Sequence, residues 1–442
     1  MSGSPYAFES DAVHERFRES HARTRSRAKG TTSYVTATPS VLVATCLTWS
    51  STAALPRLFA EAGLHVTAMS PGPLALCTHV KAHRSISRDP LHAARDVSAL
   101  LATRAFDWVV IADEVLLRAL VARGGERQQT PWAPFDLTDS TVLRFLLSKH
   151  AFIEQAGRYG IAIPPSRLVA SVEEALVFAD EYEYPLLVRG DRGFAGIEVT
   201  LASNSAELCR ATSSSLQRYG RAALQRFIRG SCISVSVLYA RGVPLAIKAY
   251  RTDCSFPTPT SASTRHAHFA HPAIEPIVAR IGALTEFDGM AGIDFMHDPA
   301  TNELFAIEVN PRPTLGFAGA RVNRDFFAPA IHRFLRGEAD PLVTYDGREP
   351  VQTYFPGHLF FALVHPCETN ARAVGAALSE FRPSDWRTAL WEVGRFTRDR
   401  LMLVARGFGP TEDSDLPSGR GAPPRNASGD LPDSIELTVA PR

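Results

Sequence analysis

Apolar residues follow two periods along the first part of the chain, one typical of strands and one typical of helices. Runs rich in apolar residues at 41–45, 65–69 and 107–113 predict buried strands. Between the first two runs, apolar side chains fall on one helical face up to Gly63, which predicts a helix with a glycine stop. Alternating strands and helices predict a small parallel α/β domain over residues 39–135.

The region from 140 to 337 mixes helical and strand patterns and predicts an α+β domain. Ser171 is followed three residues later by Glu174, and Asn204 precedes a second periodic segment, so both positions are typical of helix N-termini. The predicted helices of this region span 172–182, 205–219 and 273–286.

A long hairpin is predicted in the middle of this region. Apolar residues alternate with Ser234 and Ser236, which is the period of a half-buried strand. The dipeptide Arg-Gly at 241–242 separates this strand, 232–240, from a second one, 243–250. Two residues are enough to reverse an antiparallel chain, so the two strands should pair.

Three segments outside these domains carry weaker patterns. Residues 1–38 form a polar segment with a basic cluster, expected to be a disordered or partly helical tail, and residues 410–442 are expected to be disordered. Residues 340–409 are expected to form a helical extension. Its aromatic and arginine residues around Trp386 are typical of a helix packed on the protein body or lying on a membrane, and its mixed acids favour packing.

Composition and charge limit the class of protein. The chain has 442 residues, of which 45% are hydrophobic and 21% charged, and its formal net charge is +1. These values are typical of a globular protein of two or three domains, and neither a nucleic-acid nor a membrane partner is expected. The six cysteines have no disulfide or metal spacing, and residues 1–38 lack the apolar core of a secretion signal, so a cytoplasmic protein is expected.

Two strand-like runs near the end of the central region each carry a carboxylate. Asp294 lies in the first and Glu308 in the second, with Asn310 two residues later, and the turn at 298–302 favours chain reversal. Pairing the runs as a hairpin would bring three oxygen-bearing side chains together, as a hard cation such as Mg²⁺ requires. Two ordinary strands with acids on their open face are an equal alternative on this pattern alone.

A glycine-rich turn and two basic residues indicate an anion site. The strand ending at Arg189 runs into a turn with Gly193 and Gly196, whose backbone N–H groups can point at an anion. The turn has neither a Walker A nor a dinucleotide-binding sequence, and a plain hairpin turn is the alternative. Lys248, near the end of a strand, is either a phosphate cation or a solvated edge-strand lysine.

In this order, the segments resemble the ATP-grasp family of ATP-dependent carboxylate–amine ligases. The resemblance covers about residues 140–337 and is most specific at 308–312, Glu-Val-Asn-Pro-Arg, preceded by the strand that carries Asp294. It implies two α+β lobes with ATP between them, after an α/β domain at 39–135 that helps to shape the substrate pocket. Residues 46–51, at the carboxyl end of the first strand, then lie where open α/β sheets bind ligands.

The resemblance also implies a role for each matching residue. Mg²⁺, with Mn²⁺ as the alternative ion, would be bound by Asp294, Glu308 and Asn310. The residues implied to contact the nucleotide are Lys149, Arg189, the flap residues Gly193, Phe194, Ala195 and Gly196, the adenine-reading residues Gln225, Phe227 and Ile228, and the positions Cys232 and Lys248. Arg312 and Lys248 would face the substrate or the transferring phosphate.

The chain departs from the family pattern at three positions. Arg189 stands where a lysine is usual, and a planar guanidinium does not replace a point charge. Cys232 stands where a glutamate usually accepts from the ribose hydroxyls, and a thiol is a poor acceptor. Phe194 lies in a short flap that usually has small residues.

The function implied by the resemblance is an Mg²⁺-dependent ligase. Such an enzyme activates a small-molecule carboxylate with ATP as an acyl phosphate, which an amine then attacks. Amino acids or small peptides are the expected substrate type, and a homodimer is one option for the assembly. The departures at Arg189 and Cys232 leave a second option open, an ATP-binding regulatory or scaffold protein with weak or no turnover.

A histidine-rich segment offers a competing chemistry. His266, His268 and His271 supply three imidazoles within six residues, which suits zinc, although a zinc site also needs a fourth ligand or a water and a fixed backbone. A substrate-facing loop is the favoured interpretation, with Arg265 or a histidine contacting a carboxylate.

Overall fold

The computed structural model describes most of the chain between residues 38 and 397. The described residues are 38–47, 50–124, 133–192, 198–256, 263–317, 321–338, 342–349, 351–354, 357–379, 386–391, 393–394 and 397. Their strands form a parallel sheet near the N-terminus, a small antiparallel sheet and a large mixed sheet.

The parallel sheet and its helices form the first domain and confirm the predicted α/β layer. Its strands are β1 (Ser40–Ala44), β2 (His65–Ser70), β3 (Val80–Ser85) and β4 (Trp108–Ile111), in the order β3-β2-β1-β4. Its helices are α1 (Ser50–Ala53), α2 (Leu55–Glu61), α3 (Pro90–Thr103) and α4 (Glu114–Gly124). Helices cover both faces of the sheet, so β1 is apolar from Val41 to Ala44, and Val41, Leu42 and Val43 are fully buried.

The small antiparallel sheet belongs to the first lobe of the central region. Its strands are β5 (Ser166–Val169), β6 (Leu186–Arg189), β7 (Val199–Ala202) and β8 (Ala222–Arg226), in the order β5-β8-β6-β7. The helices of this lobe are α5 (Ser140–Leu147), α6 (Lys149–Ala156), α7 (Val172–Glu181) and α8 (Ser205–Tyr219). Ser171 and Asn204 cap α7 and α8 as predicted, since their side-chain oxygens accept from the backbone N–H groups of Glu174 (3.2 Å) and Glu207 (3.0 Å).

The large sheet forms the second lobe. Its strands are β9 (Ser231–Ala240), β10 (Val243–Ser255), β11 (Ser263–His268), β12 (Gly289–Asp298), β13 (Glu303–Asn310), β14 (Val343–Thr344) and β15 (Val351–Thr353). The order is β13-β12-β9-β10-β11-β15, with β14 parallel to β10. The helices of this lobe are α9 (Ile274–Thr285) and α10 (Arg321–Leu335).

The predicted hairpin of β9 and β10 is confirmed, including its two-residue turn. Arg241 and Gly242 both have positive φ, 48° and 81°, which matches the twist of the flanking strands. The backbone of Gly242 also lies against that of Gly282 in α9, so a side chain at this position would clash.

The first domain packs directly on the second lobe through aromatic side chains. The ring of Trp108 in β4 lies 5.2 Å from that of Phe59 in α2 and 4.7 Å from that of Phe334 in α10. Phe317 and Phe327 extend this apolar contact into the second lobe. The shared core fixes the first domain at the side of the large sheet.

The segment after residue 340 differs in part from the predicted helical extension. Before α11 (Gly357–Val364) and α12 (Glu368–Ser379), it contributes the two short strands β14 and β15 to the large sheet. Farther on, Trp386 and Leu390 are 49% and 60% exposed rather than packed. Among the described residues, no helix combines the length and the apolar character needed to cross a bilayer.

Candidate active site

The three predicted metal ligands lie together on the hairpin of β12 and β13. Asp294 pairs with Glu308, and Gly292 pairs with Asn310, so the three polar side chains share one face of the sheet. The amide Nδ2 of Asn310 donates to Asp294 Oδ2 (2.9 Å) and to Glu308 Oε1 (3.4 Å). The structure therefore brings Asp294, Glu308 and Asn310 into direct contact, and we refer to them as the acidic cluster.

A β-bulge lies beside the acidic cluster. The register shifts between Asp294 and Phe295, because Phe295 pairs with Ala306 and leaves Ile307 without a partner on β12. The carbonyl oxygen of Ile307 accepts from the guanidinium NH1 of Arg189 at 3.1 Å. The bulge thus re-aims a backbone acceptor towards the first lobe.

Two predicted cations meet Glu308. The ammonium Nζ of Lys149 lies 2.8 Å from Glu308 Oε2, and NH2 of Arg189 lies 3.4 Å from the same oxygen. The side chain of Arg189 is 5% exposed, and its NH1 also reaches Gln225 Oε1 at 3.4 Å. These contacts join the first lobe, which carries Lys149, Arg189 and Gln225, to the acidic cluster of the second.

The two carboxylates of the cluster differ in their electrostatics. Burial alone would raise the pKa of Glu308, but Lys149 and Arg189 outweigh it and lower that pKa to about 2. Burial, helped by the charge of Glu308, raises the pKa of Asp294 to about 6, although Ser234 Oγ donates to Asp294 Oδ1 at 2.6 Å. Glu308 is the firmly charged member of the pair, and Asp294 is the one that a further cation would favour most.

Arg312 borders the cluster on the side of Asn310. Its NH2 donates to Asn310 Oδ1 at 3.1 Å and its NH1 to the carbonyl of Pro313 at 3.3 Å. Two carboxylates and an amide are hard oxygen donors, which fits Mg²⁺ or Mn²⁺ by chemistry. In the structure, Nδ2 of Asn310 faces the two carboxylates and Oδ1 faces Arg312. To offer Oδ1 to a cation, the side-chain amide would have to rotate away from Arg312.

Lys149 is positioned by two residues that the sequence motifs did not single out. Ser148 caps α6 by accepting from the backbone N–H of Ala151 (3.0 Å), and its own hydroxyl donates to Asp191 Oδ1 (2.6 Å). Asp191 Oδ1 also accepts from the backbone N–H of His150 at 3.0 Å. Asp191 therefore ties the start of α6 to the turn after β6. A serine directly before a helical segment is typical of an N-cap, so the role of Ser148 could have been predicted from the sequence.

The predicted nucleotide linker lies where the chain passes between the two lobes. Residues 227–230 connect β8 to β9; Ile228 is buried and Phe227 is half-buried. The Nε2 of Gln225 donates to Ser166 Oγ at 3.0 Å, so this side chain is fixed within the small sheet. Their role in reading adenine stays a prediction.

Cys232 begins the polar face of β9 next to the cluster. It pairs with Met296, and burial, together with the charges of Asp294 and Glu308, raises the pKa of its thiol to about 12. The side chain therefore stays a neutral thiol at physiological pH and cannot take over the charge of a carboxylate.

Lys248 lies on the same sheet face but outside the cluster. Its Nζ donates to Asn323 Oδ1 at 2.5 Å and to Gln352 Oε1 at 2.6 Å, and the residue is 1% exposed. Burial lowers the pKa of Lys248 to about 7. The structure thus excludes a solvated edge-strand lysine, and it does not bring Lys248 together with Glu308 as it does Lys149 and Arg189.

The three histidines do not converge. His266 is buried against Gln352 and Tyr354, whereas His271 Nε2 donates to the carbonyl oxygen of Asn302, 3.0 Å away. The ring of His268 packs edge-on to Tyr345 at 5.5 Å. In the part of the chain that the structure describes, no group of three or more His, Cys, Asp or Glu side chains could hold a metal ion, so the zinc alternative has no support there.

The flap residues Gly193, Phe194, Ala195 and Gly196 lie outside the described residues.

The first domain reaches the site through α4. Glu114 and Arg118, which pair at 2.6 Å, line a small cavity together with Lys149, Glu308 and Asn310. Close to the predicted ligand loop at 46–51, the buried carboxylate of Asp113 accepts from Thr45 Oγ1 (2.8 Å) and the backbone N–H of Cys46 (2.7 Å), which is a structural role.

Known proteins resemble this chain over the region that carries the site. Residues 149–316 match the family model of the ATP-grasp domain. Urea amidolyase of Lachancea kluyveri is 26% identical over 189 residues, which cover 38% of this chain and 10% of the urea amidolyase. The aligned part therefore spans about a tenth of that relative.

Two solved structures share the fold over a longer stretch. N5-carboxyaminoimidazole synthetase from Staphylococcus aureus, complexed with ADP, has a TM-score of 0.57 and 14% identity, covering 76% of this chain and 86% of that one. The biotin carboxylase domain of Hydrogenobacter thermophilus 2-oxoglutarate carboxylase, in complex with MgADP, ADP and bicarbonate, has a TM-score of 0.54 and 18% identity. It covers 71% of this chain and 72% of that one.

Proposed function

This chain belongs to the ATP-grasp family through residues 149–316, and from that premise we propose that it is an ATP-dependent ligase. The proposed reaction activates a carboxylate as an acyl phosphate and transfers the acyl group to an amine, which forms a carbon–nitrogen bond. Phosphoryl transfer depends on neutralised phosphate oxygens and on alignment of the attacking and leaving oxygens. The site offers groups suited to both tasks.

The acidic cluster is the observation that carries this proposal. Asp294, Glu308 and Asn310 meet at hydrogen-bond distance from three separate sequence positions, and Lys149 and Arg189 converge on Glu308 from the other lobe. Mg²⁺ held there would neutralise charge on the phosphate oxygens of ATP. A buried pair of carboxylates otherwise has no structural benefit, because like charges in contact destabilise each other.

The surrounding cations have distinct roles in this proposal. Lys149 and Arg189 bind phosphate oxygens from the side of the first lobe, and Arg312 lies on the opposite side of Asn310, where it can orient the substrate carboxylate or the transferring phosphate. The acyl phosphate hydrolyses readily, so closure of the two lobes serves to exclude water.

The substrates proposed are small molecules, with amino acids or short peptides as the first class to test. Glu114 and Arg118 of the first domain line the cavity beside the cluster, and together they complement a molecule that carries both an amine and a carboxylate. A reducing, cytoplasmic setting is proposed with this function, because the six cysteines are scattered along the sequence.

The direct test measures ADP release with a panel of carboxylates and amines, with and without MgCl₂. The variant Glu308→Gln removes one of the two carboxylate charges of the acidic cluster and should lower ADP release by about 100-fold or more, as expected for lost transition-state charge stabilisation. Glutamine keeps the shape of the side chain, so Lys149 and Arg189 retain a hydrogen-bond acceptor.

Glu303→Gln is the matched control, because Glu303 begins the same strand and is exposed. It should retain wild-type ADP release. Wild-type turnover in Glu308→Gln, or equal losses in both variants, would contradict the proposal.

A second function is favoured by one observation, the neutral thiol of Cys232 beside the cluster. A weakly held nucleotide would suit an ATP-binding regulatory or scaffold protein better than an enzyme. Calorimetric binding of MgADP combined with no ADP release in the substrate panel would favour this second function.

A further inference from the structure

Lys248 is buried in a polar chamber of the large sheet. Its Nζ has two neutral acceptors, Asn323 Oδ1 at 2.5 Å and Gln352 Oε1 at 2.6 Å, and Asn323 and Gln352 are 0% and 4% exposed. The rings of Tyr250 and Tyr345 lie 5.7 Å and 5.5 Å from the ammonium. A lysine is rarely fully buried, and carboxamides compensate its charge less well than a carboxylate.

The chamber is continuous with the acidic cluster along one sheet face. Lys248 pairs with Ser236, Ser236 with Gly292, and Gly292 with Asn310, so the lysine and Asn310 lie three strands apart in one row, roughly 14 Å. Tyr250, two residues after Lys248, lies in the row of Asp294. The face that carries the proposed metal ligands therefore extends directly to Lys248.

Lys248 is covered by Asn323 of α10 and by a second segment, which we call the strap: residues 342–349 and 351–354. It supplies Tyr345, Gln352 and Tyr354, and it is held to the sheet by the two pairs of β14 and the three pairs of β15. Val343 and Val351 on its outer side are 40% and 43% exposed. The backbone pairs of the strap are few, so its attachment depends largely on its buried inward side chains, Tyr345, Gln352 and Tyr354.

The hydrogen bonds beneath the strap are incomplete. Gln352 Oε1 accepts from Lys248 and contacts His266 Nε2 at 2.9 Å, but Gln352 Nε2 and His266 Nδ1 are buried without a partner. A buried donor left without an acceptor costs about 1–3 kcal/mol. Gln352 therefore satisfies the ammonium of Lys248 but leaves its own amide nitrogen without an acceptor.

We propose that the strap is an autoinhibitory element in which Gln352 occupies the position of a ligand oxygen at Lys248. An oxygen of a carboxylate could replace Gln352 Oε1 at the ammonium and would bind more strongly, since a hydrogen bond between two charged groups exceeds one to a neutral amide. Withdrawal of the strap would leave Asn323 as the remaining partner of Lys248 and open the ammonium to a ligand on the face next to the acidic cluster. Burial lowers the pKa of Lys248, and the nearby charge of Glu349 opposes that shift only in part.

This inference rests on the proposed ligase only for the identity of the ligand, and its test is independent of turnover. The double variant Ala267→Cys/Val351→Cys places two thiols directly across β11 and β15. Both positions alternate with His266 and Gln352, so a disulfide would form on the outer side and leave the chamber unchanged. Oxidation fixes the strap, reduction frees it, and peptide mapping verifies the link.

The readout is modification of Lys248 by acetic anhydride, quantified by mass spectrometry. Lys248 should react at least tenfold more slowly in the oxidised variant than in the reduced one, whereas the exposed Lys81 should react equally in both. Equal rates at Lys248 would overturn the proposal. The single variant Val351→Cys controls for the substitution, because it cannot form the link.

A second variant tests Gln352 itself. Gln352→Met keeps the length of the side chain and removes both polar atoms, so Lys248 should react at least tenfold faster than in the wild type, and ADP release, if the wild type has any, should rise. Wild-type reactivity at Lys248, or a fall in ADP release, would overturn autoinhibition. A failed ligase proposal is recognised separately, since no form of the protein would then release ADP.

Discussion

Lys149 and Lys248 face the same side of the large sheet in opposite surroundings. Lys149 lies 2.8 Å from a carboxylate and its side chain is 15% exposed, whereas Lys248 is 1% exposed and bound by two carboxamides. The acidic cluster holds its cations by opposite charge, and the chamber holds its cation by shape and neutral dipoles. Loss of a cation should therefore be expensive in the cluster, because it strands a buried charge, and much less so in the chamber.

The largest effect is expected for Arg189→Met in the cluster. This change leaves the Ile307 carbonyl without its donor and removes one of two cations from Glu308. Breaking such a buried pair costs about 3–5 kcal/mol, to be measured as the free energy of unfolding in urea.

Arg167→Met is its control, since Arg167 lies in the same lobe and pairs with Glu181 at 2.8 Å with both side chains more than 40% exposed. An exposed pair of this kind is worth about 1 kcal/mol or less. Equal losses in the two variants would remove the distinction between the cluster and an ordinary surface pair.

An intermediate effect is expected from the pH dependence of Lys248. Its pKa is about 7 in the folded protein and its ordinary value is 10.5, so the unfolded chain binds more protons between these values. Stability should therefore rise with pH in this window and lose that gain as pH falls to 7.

Comparison with Lys248→Met isolates this contribution. From pH 7 to pH 9, the wild type should gain roughly 2 kcal/mol of unfolding free energy relative to the variant. A constant difference between the two proteins would mean that Lys248 keeps its ordinary pKa. Lys81→Met, at an exposed position, should show no such trend.

The smallest difference is expected between two serines of the same strand. Ser234 donates to the charged Asp294 at 2.6 Å, and Ser236 shares a bond with the neutral hydroxyl of Thr314 at 2.9 Å. Ser234→Ala should cost about 2 kcal/mol and Ser236→Ala about 1 kcal/mol, because hydrogen bonds to charged groups are stronger. A larger loss for Ser236→Ala in urea unfolding would contradict the charge-based difference between the two sites.

Much of the fold follows from local pattern. Ser171 and Asn204 mark the starts of α7 and α8 because a helix needs acceptors for its first N–H groups, a requirement visible in the sequence. The turn at Arg241 and Gly242 is equally local. The two strands before α11 were missed because β14 and β15 have only two and three residues, too few to show a period.

The site was predictable only where spacing sets geometry. The register of one hairpin decides that Asp294 meets Glu308, so the cluster follows from residues 14 apart in sequence. The partners of Lys248, Asn323 and Gln352, lie 75 and 104 residues away. Whether a lysine is solvated or buried depends on which distant segment covers it, and a single sequence carries no local sign of that cover.

The bulge at Ile307 has a mechanical consequence for the cleft between the lobes. At the bulge, the carbonyl oxygen of Ile307 leaves the strand pairing and accepts from the guanidinium of Arg189 in the first lobe. The same guanidinium also contacts the carboxylate of Glu308 and the side-chain amide of Gln225. Any hinge motion that separates the lobes must release the Ile307 carbonyl and the Glu308 carboxylate together, while the contact with Gln225 stays within the first lobe. The contact between the lobes should therefore be either fully formed or fully broken, without gradual intermediate states.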